Sequence, residues 1–553
     1  MIRLISGWLS SLVLGMLVVG PLAALGVCAL VDVGPGGEAR ASLFPAAVVL
    51  LDPFVWTSLR QSAITAGIAS LAAIVGGTIV GRVVGRPGGA SRAAAMVALG
   101  IAAASPPYLI ALGASGWLDA GDSATWRARF PSIDAAWAAW VAASVVPGMA
   151  LGALAYLRAL DGLGPWWREA AAMAGGPRLG RWRRLAWPPI RPAMARAGAF
   201  TFALTLADPG PPLLLGLRRT LGYQMVVVAT GDAPFPALAS LALIAVATVA
   251  GWRIILRLWS GPDREGNGRD DRPRPPASWR RALATWGVAA GFGAFVLAAM
   301  VGLGMVAGEA ADEGGATRRL SADPAVTRIL VRSLAMGVGV AVLATASGAA
   351  LARLEASAGL AAAGRFRRLA KAVAPPPIVA GVVVLALGRL ATLASAGRED
   401  AGALIDWLDA DRAPMVATTL AVWLAVASSR VGRRPLGPVD AAHDARYDAA
   451  MLAGARRGSA RRLARGGRLG EGWGDFAATL ATAAVAVAPA MVVVSWLSIA
   501  TVGPGVLLYR ERGGAGAAVA ATLGLLAWGV ALATAPIGAG RRGNASTADS
   551  PGA

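Results

Sequence analysis

The chain has 553 residues, 56% hydrophobic and 15% charged, with a mean hydropathy of +0.59; this is too apolar for a soluble protein of that length and predicts a polytopic membrane protein. Its net charge of +21 comes from 52 basic residues, all arginine except Lys371, and because the arginines alternate with apolar runs they read as membrane-flanking anchors, with no nucleic-acid interface. A single cysteine, Cys28, and a single histidine, His443, exclude a disulfide framework, Cys/His zinc sites, Cys-His or Ser-His-Asp catalysis and bis-histidine haem.

Crossing about 30 Å of hydrocarbon at 1.5 Å per residue takes roughly 20 apolar residues. The first such run, residues 5–30, ends in Leu25-Gly26-Val27-Cys28, a faint lipoprotein box. Its apolar length and the valine before the cysteine favour a retained span. Runs at 58–81 and 93–117 follow, the second interrupted by Pro106-Pro107-Tyr108, where a kink is expected. After a run at 135–157 comes a basic insert, REAAAMAGGPRLGRWRRLAWPPIRPAM (168–194), with six arginines between Arg168 and Arg191. Glu169 to Ala174 favour a helix, Gly175-Gly176-Pro177 breaks it, and Arg178 to Trp187 predicts a second short helix stopped by Pro188-Pro189. The next run, 194–216, holds Asp208 ahead of Pro209-Gly210-Pro211-Pro212. Two readings stand: a broken span that opens a carboxylate and carbonyls to a pathway, in which Asp208, Pro209, Pro106 and Pro107 would take part, or an external turn capped by Asp208. A run at 235–256 completes a first half, residues 1–258.

Residues 259–281 (WSGPDREGNGRDDRPRPPASWRR) are charged and rich in Pro and Gly, and predict a cytoplasmic linker. Runs at 282–307, 329–352, 371–393, 414–429, 476–499 and 514–537 make a second half, 282–540, before a cytoplasmic tail at 541–553. The Gly291-Phe292-Gly293 and Gly302-Leu303-Gly304 pieces sit inside an apolar run and predict close helix packing, not phosphate binding. The halves echo each other: residues 58–82 lie over 329–353 so that Ser62 meets Ser333, Gly77 meets Gly348 and Arg82 meets Arg353. Pro106-Pro107 has its counterpart in Pro375 to Pro377, and EAAAMAG (169–175) in DAAMLAG (448–454). The expected fold is therefore an all-α polytopic membrane protein of about twelve transmembrane helices in two parallel six-helix repeats. With the N-terminus inside, 37 basic residues fall on the cytoplasmic side and 15 outside, against 13 and 18 acids. This bias places both termini in the cytoplasm.

No GxxxxGK[ST] phosphate loop occurs, so the chain is expected to be no ATPase by that route and to hold no cofactor or metal of its own. The order of Glu, paired alanines, Gly, an aliphatic and Pro in the insert exceeds what a positive-inside loop needs. Small alanines allow close approach of another protein, and Glu169 and the arginines can pair across the contact.

These residues resemble the signature of the type I permeases of ATP-binding-cassette importers: EAA, three residues, Gly, nine residues, an aliphatic, any residue, Leu, Pro. Here the pattern reads Glu169-Ala170-Ala171, Gly175, Leu185, Trp187 and Pro188, with Trp in the leucine place and every spacing kept. In the second half Asp448-Ala449-Ala450 and Gly454 match, but RRLARGG (461–467) comes one residue early and ends in Gly466-Gly467 instead of Pro. The resemblance covers nearly the whole chain. It implies that each loop docks on one of two copies of a cytoplasmic ATPase, where ATP and Mg bind, and that an extracytoplasmic solute-binding protein delivers the solute at a bacterial cytoplasmic (inner) membrane. Fused double-length permeases of this kind are most similar to those for iron(III), thiamine and 2-aminoethylphosphonate, with sulfate, molybdate and polyamine systems more distant. FALTLADPGPPLLLG (202–216) and VGPGVLLYRERGG (502–514) resemble stretches of the iron(III) group, so iron(III) is the first expected solute. The main alternative is an ion-coupled secondary transporter of paired six-span repeats, which would place coupling charges mid-span.

Overall fold

The computed structural model describes residues 20, 22–33, 39–85, 90–120, 134–161, 163, 173, 180, 182–231, 234–261, 278–311, 324–357, 377–395, 416–417 and 419–421. Apart from a short antiparallel hairpin, β1 (Val31–Val33) and β2 (Ala39–Ala41), with Asp32 opposite Arg40, the described chain is helical. The helices are α1 (Phe44–Leu51), α2 (Pro53–Val84), α3 (Ala90–Ala104), α4 (Pro107–Ala120), α5 (Ala135–Asp161), α6 (Trp187–Leu206), α7 (Gly210–Leu214), α8 (Leu221–Thr230), α9 (Phe235–Ser260), α10 (Trp279–Ala311), α11 (Pro324–Ser357) and α12 (Pro377–Ser395).

Among the described residues α2, α5, α9, α10 and α11 carry stretches long and apolar enough to cross a membrane, and α3 with α4 makes a sixth if the bent pair is one span. Their packing is that of helices in lipid. On α2 the large residues Leu71, Val75 and Ile79 are exposed, by 53%, 57% and 60%, while Ala66, Ala69 and Ala73 are fully buried. A water-soluble helix would turn its large side chains inward; here lipid is as apolar as leucine, so packing selects small residues for the interface. Gly77 lies so close to α5 that a Cβ there would stand 2.7 Å from the backbone of Gly152, and one on Gly152 would collide with the carbonyl of Ala73. The chain is an all-α polytopic membrane protein.

Local sequence explains where helices begin. Pro53 opens α2 behind Asp52, whose carboxylate accepts the Phe54 N–H at 2.8 Å; proline is pre-set for the first helical turn and its missing N–H is not needed there. The kink expected at Pro106-Pro107 is a full break, with α3 and α4 meeting at 88°. The basic insert departs from expectation. Pro188-Pro189 do not stop a helix; Trp182–Ala186 forms a π-helical turn running directly into α6, whose first turn holds both prolines. The reason is the same tolerance for proline at a helix start. The run expected at 194–216 is likewise shifted: α6 starts earlier, ends at Leu206, and is separated from α7 by Ala207-Asp208-Pro209.

Helix α10, on the far side of residues 262–277, packs against α3 and α4. Gly113 and Gly116 of α4 meet the carbonyls of Ala299 and Gly302, and the Trp117 indole donates to the Ala298 carbonyl at 2.8 Å. Of the two GxG pieces, only Gly302 is a close-approach residue; Gly291, Gly293 and Gly304 face open space. Residues 22–30 are helical and pack through Ala24, Leu25, Cys28 and Ala29 into one apolar cluster with Val379, Ala380, Val383 and Ala386 of α12. The Cys28 thiol, fully inside the protein, donates to the Ala386 carbonyl at 3.7 Å.

Candidate functional site

Two places in the fold gather the residues singled out from sequence. The first is the arginine-rich end of the bundle, where the end of the basic insert enters α6. Leu185 is half-buried in the π-helical turn, and Trp187 and Pro188 are half-buried at the start of α6. Trp187 packs on Trp182 with ring centroids 5.1 Å apart and on Trp259, at the end of α9, at 6.1 Å. The Arg82 guanidinium, from the end of α2, lies 4.3 Å above the Trp182 ring. The Trp182 indole donates to the Tyr156 hydroxyl of α5 at 3.0 Å. Arg191 donates from Nε to the Ser260 carbonyl at 2.9 Å and stands 5.6 Å from the Trp259 ring. An ion pair in which Arg92 Nη2 donates to both carboxylate oxygens of Asp161, at 2.9 and 3.2 Å, joins the start of α3 to the end of α5. The last turn of the insert is thus fixed by aromatic and cation–π contacts to the ends of α2 and α9 and by a hydrogen bond to α5, while Arg183 and Arg184 are exposed. Glu169, Ala170, Ala171 and Gly175 lie outside the described residues, as do Asp448, Ala449, Ala450 and Gly454.

The second place is about 30 Å away along α6, a helix of 20 residues rising 1.5 Å each. Here the α6/α7 break meets the α3/α4 break. Asp208 is half-buried, and its Oδ1 accepts the Gly210 N–H at 3.0 Å. The carboxylate thus closes the break on itself, holding the N–H of the first residue of α7 two positions further on. A Cβ on Gly210 would stand 2.7 Å from Cβ of Tyr108 and 3.3 Å from Asp208 Oδ1. Only glycine lets the α7 turn approach the first turn of α4 so closely. A Cβ on Gly222 would likewise stand 2.8 Å from the Asp208 backbone carbonyl, so α8 closes the junction from another side. The α8 start is tied to α2, because the Ser62 hydroxyl oxygen accepts the Leu221 N–H at 2.8 Å. Pro106 and Pro209 are buried, Pro107 half-buried. The structure therefore brings together the four pathway candidates that sequence had left in separate runs.

Two residues of this junction, Tyr108 and Ser62, and Ser58 one turn earlier on α2, were not legible as polar site residues in sequence. Tyr108 is 2% exposed and its hydroxyl has no hydrogen-bond partner among the described residues. Ser62 and Ser58, one turn apart on α2, are fully buried, and the Ser58 hydroxyl also lacks a partner there. The only sequence signal was polar residues on the small-residue face of an apolar helix, which is common in membrane helices. Among the described residues, no three His, Cys, Asp or Glu side chains are grouped as metal ligands would be. No family model matches the chain, and no curated protein matches it.

Proposed function

We propose that the chain is the membrane permease subunit of an ATP-driven, binding-protein-dependent importer, coupled through its basic loops to separate ATPase subunits. The observation that carries the reading is the anchoring of the insert's end. Trp187, one of the closing residues of the EAA-like segment, packs on Trp182 of the π-helical turn and on Trp259 at the end of α9, and Arg82 at the end of α2 stacks in turn on Trp182. A push on the exposed Arg183-Arg184 turn would pass through this stack into α2, α6 and α9 together, as coupling to an ATPase requires.

A twelve-span arrangement of two parallel halves is supported by recurring helix starts. Pro324 opens α11 271 positions after Pro53 opens α2, and Pro377 opens α12 270 positions after Pro107 opens α4. It is also supported by reciprocal packing: α10 covers α3 and α4, and the helical residues 22–30 cover α12. On this reading the halves exchange their first helices. The partners are two ATPase copies and an external solute-binding protein at a bacterial cytoplasmic membrane, with both termini inside, and the solute is iron(III), thiamine, 2-aminoethylphosphonate or a relative of these.

The half-buried carboxylate of Asp208 at a helix break favours one second reading, an ion-coupled secondary transporter. Co-purification of an ATPase encoded beside the permease, together with solute uptake at equal permease abundance, separates the two. Glu169→Lys and Gly175→Arg should abolish uptake and release the ATPase, and the matching changes at Asp448 and Gly454 should weaken both less, because that loop lacks its terminal proline. Normal uptake in all four variants would refute coupling through these loops. Greater damage from the second-half changes would refute the asymmetry alone.

A further inference from the structure

We infer that the cleft between α3 and α10 is a binding site for one anionic phospholipid, whose acyl chain lies in the cleft and whose phosphate meets Arg280 at the start of α10. The inference requires only that these helices lie in a membrane, and it stands apart from the importer reading.

The cleft exists because α10 is held tightly at one end only. In its C-terminal half the backbone presses on α4, where a Cβ on Gly113 or Gly302 would collide with the opposite carbonyl. Nearer its start the helix stands clear, and a Cβ on Gly291 or Gly293 would meet no atom within 4 Å. Here α3 and α10 border an open cleft of about 670 Å³ lined by Ala94, Ala98, Trp286, Ala290, Gly293 and Met300 among others, almost wholly apolar. Among the described spans α10 is the most apolar and the least buried, so hydrocarbon reaches the cleft. Walls without partner atoms forfeit their dispersion contacts, and an acyl chain restores them. From Trp286 to Met300 the helix rises about 21 Å, against about 15 Å of hydrocarbon in one leaflet, so a whole chain fits lengthwise.

The headgroup class follows from the end at which the cleft begins. Trp279 lies seven residues before Trp286, two turns back on the same face of α10. Both indoles are exposed, as aromatic side chains at a membrane surface are. The Arg280 guanidinium stands 5.3 Å from the Trp279 ring, which brings it onto this face about 10 Å beyond Trp286. Arg280 and Arg281 are exposed, and among the described residues neither pairs with a carboxylate. A guanidinium matches the geometry of a phosphate, and basic residues at the end of a span attract anionic lipid. A zwitterionic headgroup carries its own ammonium and gains less. A second copy of the chain, related by a twofold axis along the membrane normal, would instead bring like-charged arginine pairs together.

The test uses the full chain in phosphatidylcholine nanodiscs containing a variable fraction of phosphatidylglycerol brominated on its acyl chains, which quench tryptophan on contact. The part of the quenching that disappears in Trp286→Phe reports the cleft. That part should saturate with brominated phosphatidylglycerol, and brominated phosphatidylcholine should bind at least fivefold more weakly. Arg280→Gln should weaken phosphatidylglycerol about fivefold, the weight of one basic residue at a lipid surface, and leave phosphatidylcholine unchanged. Gly293→Leu, which fills open space, should remove the Trp286 component for both lipids. Absence of that component in the wild type would overturn the inference, because another part of the chain or a second copy would then cover the cleft. Equal binding of the two lipids, or wild-type selectivity in Arg280→Gln, would overturn the headgroup site. Unchanged quenching in Gly293→Leu would show that the acyl chain does not lie in the cleft. Should Gly293→Leu fail to fold, Arg280→Gln, altered at an exposed helix end, still decides.

Discussion

Replacing Trp187 by alanine should free the end of the basic insert without unfolding the bundle. The ring makes two aromatic contacts, to Trp182 at 5.1 Å and to Trp259 at 6.1 Å, each contributing about 0.5–1.5 kcal/mol beyond buried area. The two together contribute about 1–3 kcal/mol. The Arg82–Trp182 stack and the Trp182–Tyr156 hydrogen bond remain, so the loss falls on the joint between the π-helical turn and α6. At about 1.4 kcal/mol per tenfold, local opening should rise roughly 5- to 150-fold. Hydrogen–deuterium exchange of the backbone amides in residues 182–187 and 190–191 reads this directly, with the amides of α2 around Ala69 and Ala73 as the internal reference. Trp187→Leu, which places the residue of the resembled pattern here, should recover apolar burial but not the ring pairing, and give an intermediate rate. If exchange in residues 182–191 were unchanged in Trp187→Ala, the stack would not be what fixes the insert. If the α2 amides accelerated equally, the effect would be global and the assignment of a local joint would fail.

Gly152→Val should separate α2 from α5, since even a Cβ at that position collides with the Ala73 carbonyl; a cost above the usual range of about 1–3 kcal/mol for overpacking should appear as a lower unfolding midpoint and reduced membrane abundance, and a wild-type midpoint would refute the close approach. Ser62→Ala leaves the buried Leu221 N–H without its acceptor and should destabilise by about 1–3 kcal/mol, measured as a lowered midpoint in the same nanodiscs, whereas Ser62→Thr should retain most of the stability. With Cys28 replaced by alanine, single cysteines at Arg183 or Arg184 should resist a membrane-impermeant external thiol reagent while cysteines within 312–323 react; external labelling of the arginine-rich end would refute the orientation and with it any docking of an ATPase there. The purified chain, lacking a phosphate loop, should hydrolyse no ATP until its partner subunit is added, and sustained hydrolysis by the chain alone would count against the importer reading.

How much was legible in the sequence depended on whether the signal was local. The apolar runs marked helices α2, α5, α9, α10, α11 and α12 because membrane crossing is set by length and hydropathy along one stretch of chain. Pro106-Pro107 announced a disruption, since proline's missing N–H acts within four residues. The same chemistry misled at Pro188-Pro189, because a proline stops a helix or starts one according to whether the chain beyond it is helical. Asp208 was visible as a costly residue, but its surroundings were not. That Gly210 presses against Tyr108, that Gly222 closes on Asp208, and that Ser62 anchors α8 are contacts between residues up to 159 positions apart, and no periodicity within a helix encodes them. The same holds for α10, which packs on α3 and α4 through Gly113, Gly116 and Gly302: sequence shows that these glycines are small, and only the tertiary structure decides which helix comes close enough to need them, because van der Waals packing between spans depends on the shapes of both partners.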